Sequence, residues 1–142
     1  VIKKEERNIE KVIKIGDSAY IVVNATDDLV RAIAKVSGDI NPVHLSEDYA
    51  QNTIFGKRIA HGLLCVNGVS QILGTVLPGE GTILISQSFQ YKAPVYIGDT
   101  VKIEMTVTGE KQEKKIYILS CTCRNQNGKI VMEGESVVKW DK

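Results

Sequence analysis

Two histidines stand in the whole chain, and each sits where an imidazole could move a proton. His44 follows Asp39 in the string Ser37-Gly38-Asp39-Ile40-Asn41-Pro42-Val43-His44-Leu45. A carboxylate and an imidazole on one short, proline-stiffened loop make an acid–base pair that can activate water and return its proton. Asp39 also follows an expected helix end, whose partial negative charge disfavours ionisation; a protonated His44 would favour it. A purely architectural reading competes: Gly38 as a C-cap, Asp39 or Asn41 in an Asx turn, and His44 partly buried. An isolated Asp/His pair favours that reading. The complete Gly-Asp-x-Asn-Pro-x-His string reverses the choice.

The other histidine opens a different feature. His61-Gly62 precedes a long apolar stretch, so the first-turn N–H groups of the helix expected there have no intrahelical partners. Glycine lets a ligand approach that backbone closely, and the dipole favours negative charge. The pair therefore predicts an oxyanion hole for a carbonyl that becomes an enolate. The plainer alternative is tight entry into the helix, with His61 as its cap.

Three rival chemistries are open on residue types alone. His61 and Cys65 are four apart on one helix face, a spacing for a thiol nucleophile and its base. Cys65 lies between Leu64 and Val66, however, which predicts a buried and inert thiol. His44 with Glu47 or Asp48 could ligate a metal, but no His-Glu-x-x-His pattern supports it, and no metal is expected. Gly79-Glu80-Gly81 lacks the lysine and serine or threonine of a phosphate loop. Lys57-Arg58 could meet a phosphate group or simply be solvated.

These residues need elements to hold them. Ala19 to Asn24 reads as a strand. Thr26 reads as an N-cap with Asp27 and Asp28 in the first turn, and Leu29, Val30, Ile33 and Val36 recur at helical spacing up to Ser37-Gly38. Asn41-Pro42 imposes an extended or turn conformation, and Ser46 starts a short helical turn. From Gly62 to about Val76 apolar residues cover more than one face, which predicts a buried helix. Pro78-Gly79 and Gly81 break it. A strand over roughly Thr82 to Tyr91 is expected to turn at Gly98-Asp99 into the next. In the following run Val101, Ile103, Met105 and Val107 alternate with polar residues at period two. Lys115 to Cys123 and Lys129 to Trp140 continue as strands joined at Asn127-Gly128, a hairpin signal. The expected architecture is α+β, an antiparallel sheet wrapped around one long central helix.

Composition narrows the classes. The 142 residues suffice for one domain, 1–142, which needs neither disulfides nor a structural metal to fold. Eighteen cationic against seventeen anionic residues leave a net charge of +1, which gives no basic field for nucleic acid. No apolar run approaches the length of a membrane span. The first residues, VIKKEERNIEKVIK, mix charges and lack the apolar core of a signal peptide, and a start at Val1 suggests that a residue or short leader has been removed. Cys121 and Cys123 alternate on one strand and the cysteine count is odd, so reduced thiols and a cytoplasmic location are expected.

The loop string from Ser37 to Ser46 resembles the hydratase-2 motif of MaoC-like enzymes, and among them the short (R)-specific enoyl-CoA hydratases. The resemblance continues through Phe55-Gly56-Lys57-Arg58-Ile59-Ala60-His61-Gly62-Leu63, the turn at Leu77 to Gly81, and the run from Ser88 to Asp99. It implies the hot-dog fold and a homodimer whose sheets join edge to edge, with acyl-thioester sites near the subunit boundary. It implies reversible addition of water to a trans-2-enoyl-CoA, giving the (R)-3-hydroxyacyl product. Coenzyme A then belongs to the substrate and no separate cofactor is expected. Asp39 and His44 match the catalytic dyad, and the Gly62 N–H would hold the thioester oxygen. The substrate is expected to meet Asn41, His61, Asn67, Lys57 and Arg58. Two departures stand out: Asn67 falls where a helix serine is common, and Ile33-Ala34 replace an aromatic residue before the motif. The same fold could instead carry an acyl-CoA thioesterase, with a carboxylate aimed at the thioester carbon. A non-catalytic acyl-thioester-binding subunit is the third reading, although such a protein has no need of both Asp39 and His44.

Overall fold

Apolar alternation and two caps account for most of the architecture. The computed structural model describes residues 11–141, so the first ten residues of the N-terminal segment read above lie outside it. Strand β1 (Ser18–Asn24) leads into helix α1 (Asp27–Ser37). The Thr26 side chain accepts from the Leu29 N–H at 3.1 Å, and Gly38 ends α1 at φ 77°, a left-handed conformation that glycine adopts freely. Two short helices follow, α2 (Pro42–Leu45) and α3 (Glu47–Ala50), capped by Asn41 and Ser46. Next comes α4 (Leu63–Thr75), which buries Leu64, Cys65, Gly68, Val69, Ile72 and Leu73. Four strands complete the chain: β2 (Ile83–Tyr91), β3 (Thr100–Lys111), β4 (Ile116–Arg124) and β5 (Ile130–Lys139).

The strands form one antiparallel sheet in the order β1-β3-β4-β5-β2. Its inner face presents Val101, Ile103, Met105 and Val107 from β3 and Leu119, Cys121 and Cys123 from β4, all buried against α4. Period-two alternation is why one face of each strand joins the core. Gly68 permits the close approach of helix and sheet, because a Cβ there would collide with the Ile103 Cδ1 methyl.

One connection differs from expectation. Gly98-Asp99 does form a turn, with Gly98 at φ 99°, but it does not make β2 and β3 a hairpin. β2 pairs with β5 at one edge of the sheet, whereas β3 lies between β1 and β4. The intervening segment satisfies its backbone elsewhere. The Ala60 N–H donates to the Val95 carbonyl at 2.7 Å, and the Gly98 N–H to that of Ala25 at 2.8 Å. The Asn127-Gly128 hairpin between β4 and β5 is present, with Gly128 at φ 78°.

Candidate active site

The loop between α1 and α2 brings Asp39 and His44 together. Their nearest side-chain atoms, Asp39 Oδ2 and His44 Nε2, are 3.7 Å apart, too far for a direct hydrogen bond. Asp39 Oδ1 is turned by the Asn41 N–H at 3.1 Å, which leaves Oδ2 toward the imidazole. His44 Nδ1 lies 2.8 Å from the Ile59 carbonyl, which can only accept, so Nδ1 carries the proton and Nε2 keeps its lone pair. The gap between two acceptors of 3.7 Å suits a water that donates one hydrogen to each. Asp39 is about half exposed and His44 is buried, so the carboxylate stands at the mouth and the base behind it.

His61 forms the second layer. Its ring stacks on His44 at a centroid distance of 3.8 Å, with the planes 26° apart. Its Nε2–H donates to the Asp39 carbonyl at 2.9 Å, and its buried Nδ1 has no hydrogen-bond partner among the described residues. Asp39, His44 and His61 present ligand-type atoms within 4.8 Å of one another. His44 Nδ1 and His61 Nε2 are taken by the Ile59 and Asp39 carbonyls, which leaves one uncommitted nitrogen on each ring.

A cavity of about 560 Å³ joins these groups to the start of α4. Asp39, His44, His61 and Gly62 line it, with Phe55, Leu63, Cys65, Tyr91, Pro94 and Val131 among the apolar walls. Gly62 is helical at φ -55°, and no described hydrogen bond uses its N–H. A side chain there would strike Tyr91: an added Cβ would lie 2.6 Å from the ring. Cys65 closes the wall beside them. The neighbouring Cys123 thiol lowers the Cys65 pKa, while Cys121, Cys65 and burial push Cys123 up; Cys121 Sγ lies 3.8 Å from Cys123 Sγ. No described hydrogen bond joins His61 to Cys65, so the thiol–imidazole pairing is not formed.

The other residues expected at the substrate, Asn41, Arg58, Lys57 and Asn67, do not line this cavity. Asn41 caps α2, its side chain accepting from the Val43 N–H at 3.2 Å. Arg58 is tied inward: Nε donates to the His44 carbonyl at 2.8 Å and Nη2 to Asp27 Oδ1 at 2.6 Å. That guanidinium, helped by Arg31, holds the Asp27 carboxyl below the usual range. Arg58 thus positions the His44 loop and is not presented to the cavity. Lys57 lies over the Tyr96 ring at 4.6 Å. Asn67 lines a separate depression with Leu29, Ile33 and Val36. At 100° per residue it points well away from Gly62 and Cys65, which is why the helix carries it out of the dyad's cavity. The cavity also contains residues that residue-type reasoning passed over. Tyr91 is one, its signal no more than a shared strand face with Phe89. The Ile59 carbonyl is another, and a backbone group has no sequence signal at all.

A five-stranded antiparallel sheet packed on one buried helix, with an acid–imidazole pair near that helix's first turn, is the arrangement expected of the hot-dog fold. The chain belongs to the family of the MaoC like domain, whose family model matches residues 8–125. It is 48% identical over 126 residues to an (R)-specific enoyl-CoA hydratase of Rhodospirillum rubrum, covering 89% of this chain and 87% of that one. Among solved structures, it is similar to the (R)-hydratase from A. caviae involved in PHA biosynthesis, with a TM-score of 0.89 and 36% identity. That match covers 93% of this chain and 100% of the other. It is also similar to the R-hydratase PhaJ1 from Pseudomonas aeruginosa, with a TM-score of 0.86 and 38% identity over 92% of this chain and 83% of that one.

Proposed function

We propose that the protein is an (R)-specific enoyl-CoA hydratase, adding water reversibly to a trans-2-enoyl-CoA. The observation that carries this reading is the 3.7 Å gap between His44 Nε2 and Asp39 Oδ2 in a cavity also lined by Gly62. In this reading a water donates to both acceptors and directs its lone pair at C3 of the bound chain. As the C3–O bond forms, His44 or Asp39 takes the proton, and the electron pair of the double bond moves toward the thioester oxygen. The Gly62 N–H donates to that oxygen as charge develops. The protonated member of the pair then delivers the proton to C2 on the same face. Proton transfer contributes about 10²–10⁴-fold and an oxyanion donor about 10²–10³-fold, so both effects are needed. Coenzyme A enters as part of the substrate, and no further cofactor is required.

The same reading includes a homodimer. β2 is an edge strand that leaves Ile83, Leu84 and Ile85 exposed, an apolar edge of the kind that pairs with another chain. A cytoplasmic location is part of the proposal and is supported by the unbridged Cys65, Cys121 and Cys123.

Crotonyl-CoA provides the test. The expected result is loss of the conjugated thioester absorbance, no release of free thiol, and (R)-3-hydroxybutyryl-CoA as product. Thiol release would replace the hydratase with a thioesterase. Binding without either change would leave a non-catalytic thioester binder.

A further inference from the structure

Gly62 and Tyr91 meet at the place where the thioester oxygen would rest. A Cβ on Gly62 would lie 2.9 Å from the Tyr91 hydroxyl oxygen. A Cβ stands about 2.5 Å from its own backbone nitrogen, so the hydroxyl lies within about 5.4 Å of the Gly62 nitrogen. One acceptor oxygen can therefore sit at about 2.8 Å from both. The hydroxyl makes no described hydrogen bond, and Tyr91 lines the same cavity as Asp39 and His44. Its backbone is fixed at the end of β2, where Tyr91 pairs with Met132 and the next N–H donates to the Val131 carbonyl at 2.9 Å.

We propose that the Tyr91 hydroxyl is a second oxyanion donor, sharing the thioester oxygen with the Gly62 N–H. The inference rests on the hydratase reading and deepens it by adding a catalytic residue. One N–H alone leaves the second lone-pair direction of an enolate oxygen to water; the hydroxyl fills it with a donor carried on a fixed strand end. Partial burial and the Cys65 and Cys123 thiols raise the Tyr91 pKa, so the group stays protonated and able to donate across the neutral range. Tyr91 donates a hydrogen bond without giving up its proton, and no covalent step involves it.

Tyr91→Phe keeps the ring over Gly62 and removes only the donor. The side chain is more than half exposed, so solvent replaces part of the lost bond. The expected loss in kcat for crotonyl-CoA is about tenfold, below the usual range for a buried donor, with KM changed less than about threefold. A second readout needs no turnover. Crotonyl-CoA bound to Asp39→Asn should show a red-shifted conjugated absorbance, and the shift should shrink in Asp39→Asn/Tyr91→Phe. An unchanged kcat and an unchanged shift would overturn the role of Tyr91 while leaving the hydratase intact. If the unaltered protein binds crotonyl-CoA without hydrating it, the hydratase reading falls and the absorbance shift alone decides whether Tyr91 polarises the carbonyl. Failure to bind would remove both.

Discussion

In the proposed reaction Asp39 and His44 each offer one acceptor to the same water, so neither can substitute for the other. Asp39→Asn replaces an acceptor with a group that also donates, and His44→Ala removes the lone pair behind it. Each is expected to lower kcat by at least about 10²-fold, with the far-UV spectrum and thermal midpoint close to the parent. Near-parental turnover in either variant would take that residue out of the mechanism. Gly62→Ala should lower kcat/KM by about 10²-fold, because the added methyl drives Tyr91 out of register with the helix start. The Tyr91 ring is exposed enough to swing aside, so the melting temperature should move little. Asp27 makes a different kind of contribution. Its pKa is lowered mainly by Arg58, so its stabilisation is present above the unfolded carboxyl value and is lost as pH falls through the lowered folded value. Asp27→Asn should therefore melt earlier than the parent at pH 7, with the gap closing as the pH falls below the ordinary carboxyl range. It should also reduce turnover, because Arg58 holds the His44 carbonyl with one nitrogen and Asp27 with another.

At the scale of elements, α4 decides how deep the site is. Its small residue Gly68 lets the helix settle onto β3, which places Gly62 beneath the end of β2 and beside the dyad loop. Gly68→Ala gains helix propensity of about 1 kcal/mol and incurs overpacking of about 1–3 kcal/mol against Ile103. Denaturant unfolding should give a net loss of stability. Ile103→Val deletes the colliding methyl and alone costs about 0.5–1.5 kcal/mol. The double variant should be more stable than the sum of the two single losses predicts. Strict additivity in that cycle would mean that helix and strand do not press on each other at this point. The dyad loop depends on elements in the same way: Gly38 ends α1 and Asn41 caps α2, so the backbone reverses between them and carries Asp39 back toward His44.

For the whole molecule, the two sheet edges are unequal. β1 exposes Tyr20 and Val22 on alternate positions, with Lys102 of the neighbouring β3 lying over the Tyr20 ring at 4.4 Å, whereas β2 exposes three consecutive branched apolar side chains. Charged residues at an edge discourage pairing and apolar ones invite it. Sedimentation should therefore report twice the 15.6 kDa chain mass, and Ile85→Lys should shift the population toward the single chain. A parent protein that sediments as one chain at micromolar concentration would dismiss the dimer. The dyad, the cavity and the Gly62 N–H all come from one copy of the chain.

The sequence by itself determined most of the elements and the placing of Asp39 and His44 on one loop. Thr26, Gly38 and Ser46 act on backbone groups within a few residues of themselves, so their caps were legible; the short helix that Asn41 caps was expected only as an extended or turn segment. So was the alternation of β3, since a strand's face follows from period two alone. Asp39 and His44 were legible because one rigid loop carries both. Only the tertiary structure decided that β2 crosses to the far edge beside β5, that Arg58 turns inward to Asp27, and that Asn67 faces away from the dyad. It alone brought the Ile59 carbonyl to His44 and the Tyr91 ring over Gly62. The physical reason is range: caps and periodicities are set by neighbours along the chain, whereas sheet order, ion pairing and cavity walls are settled by groups far apart in sequence competing for the same partners in space.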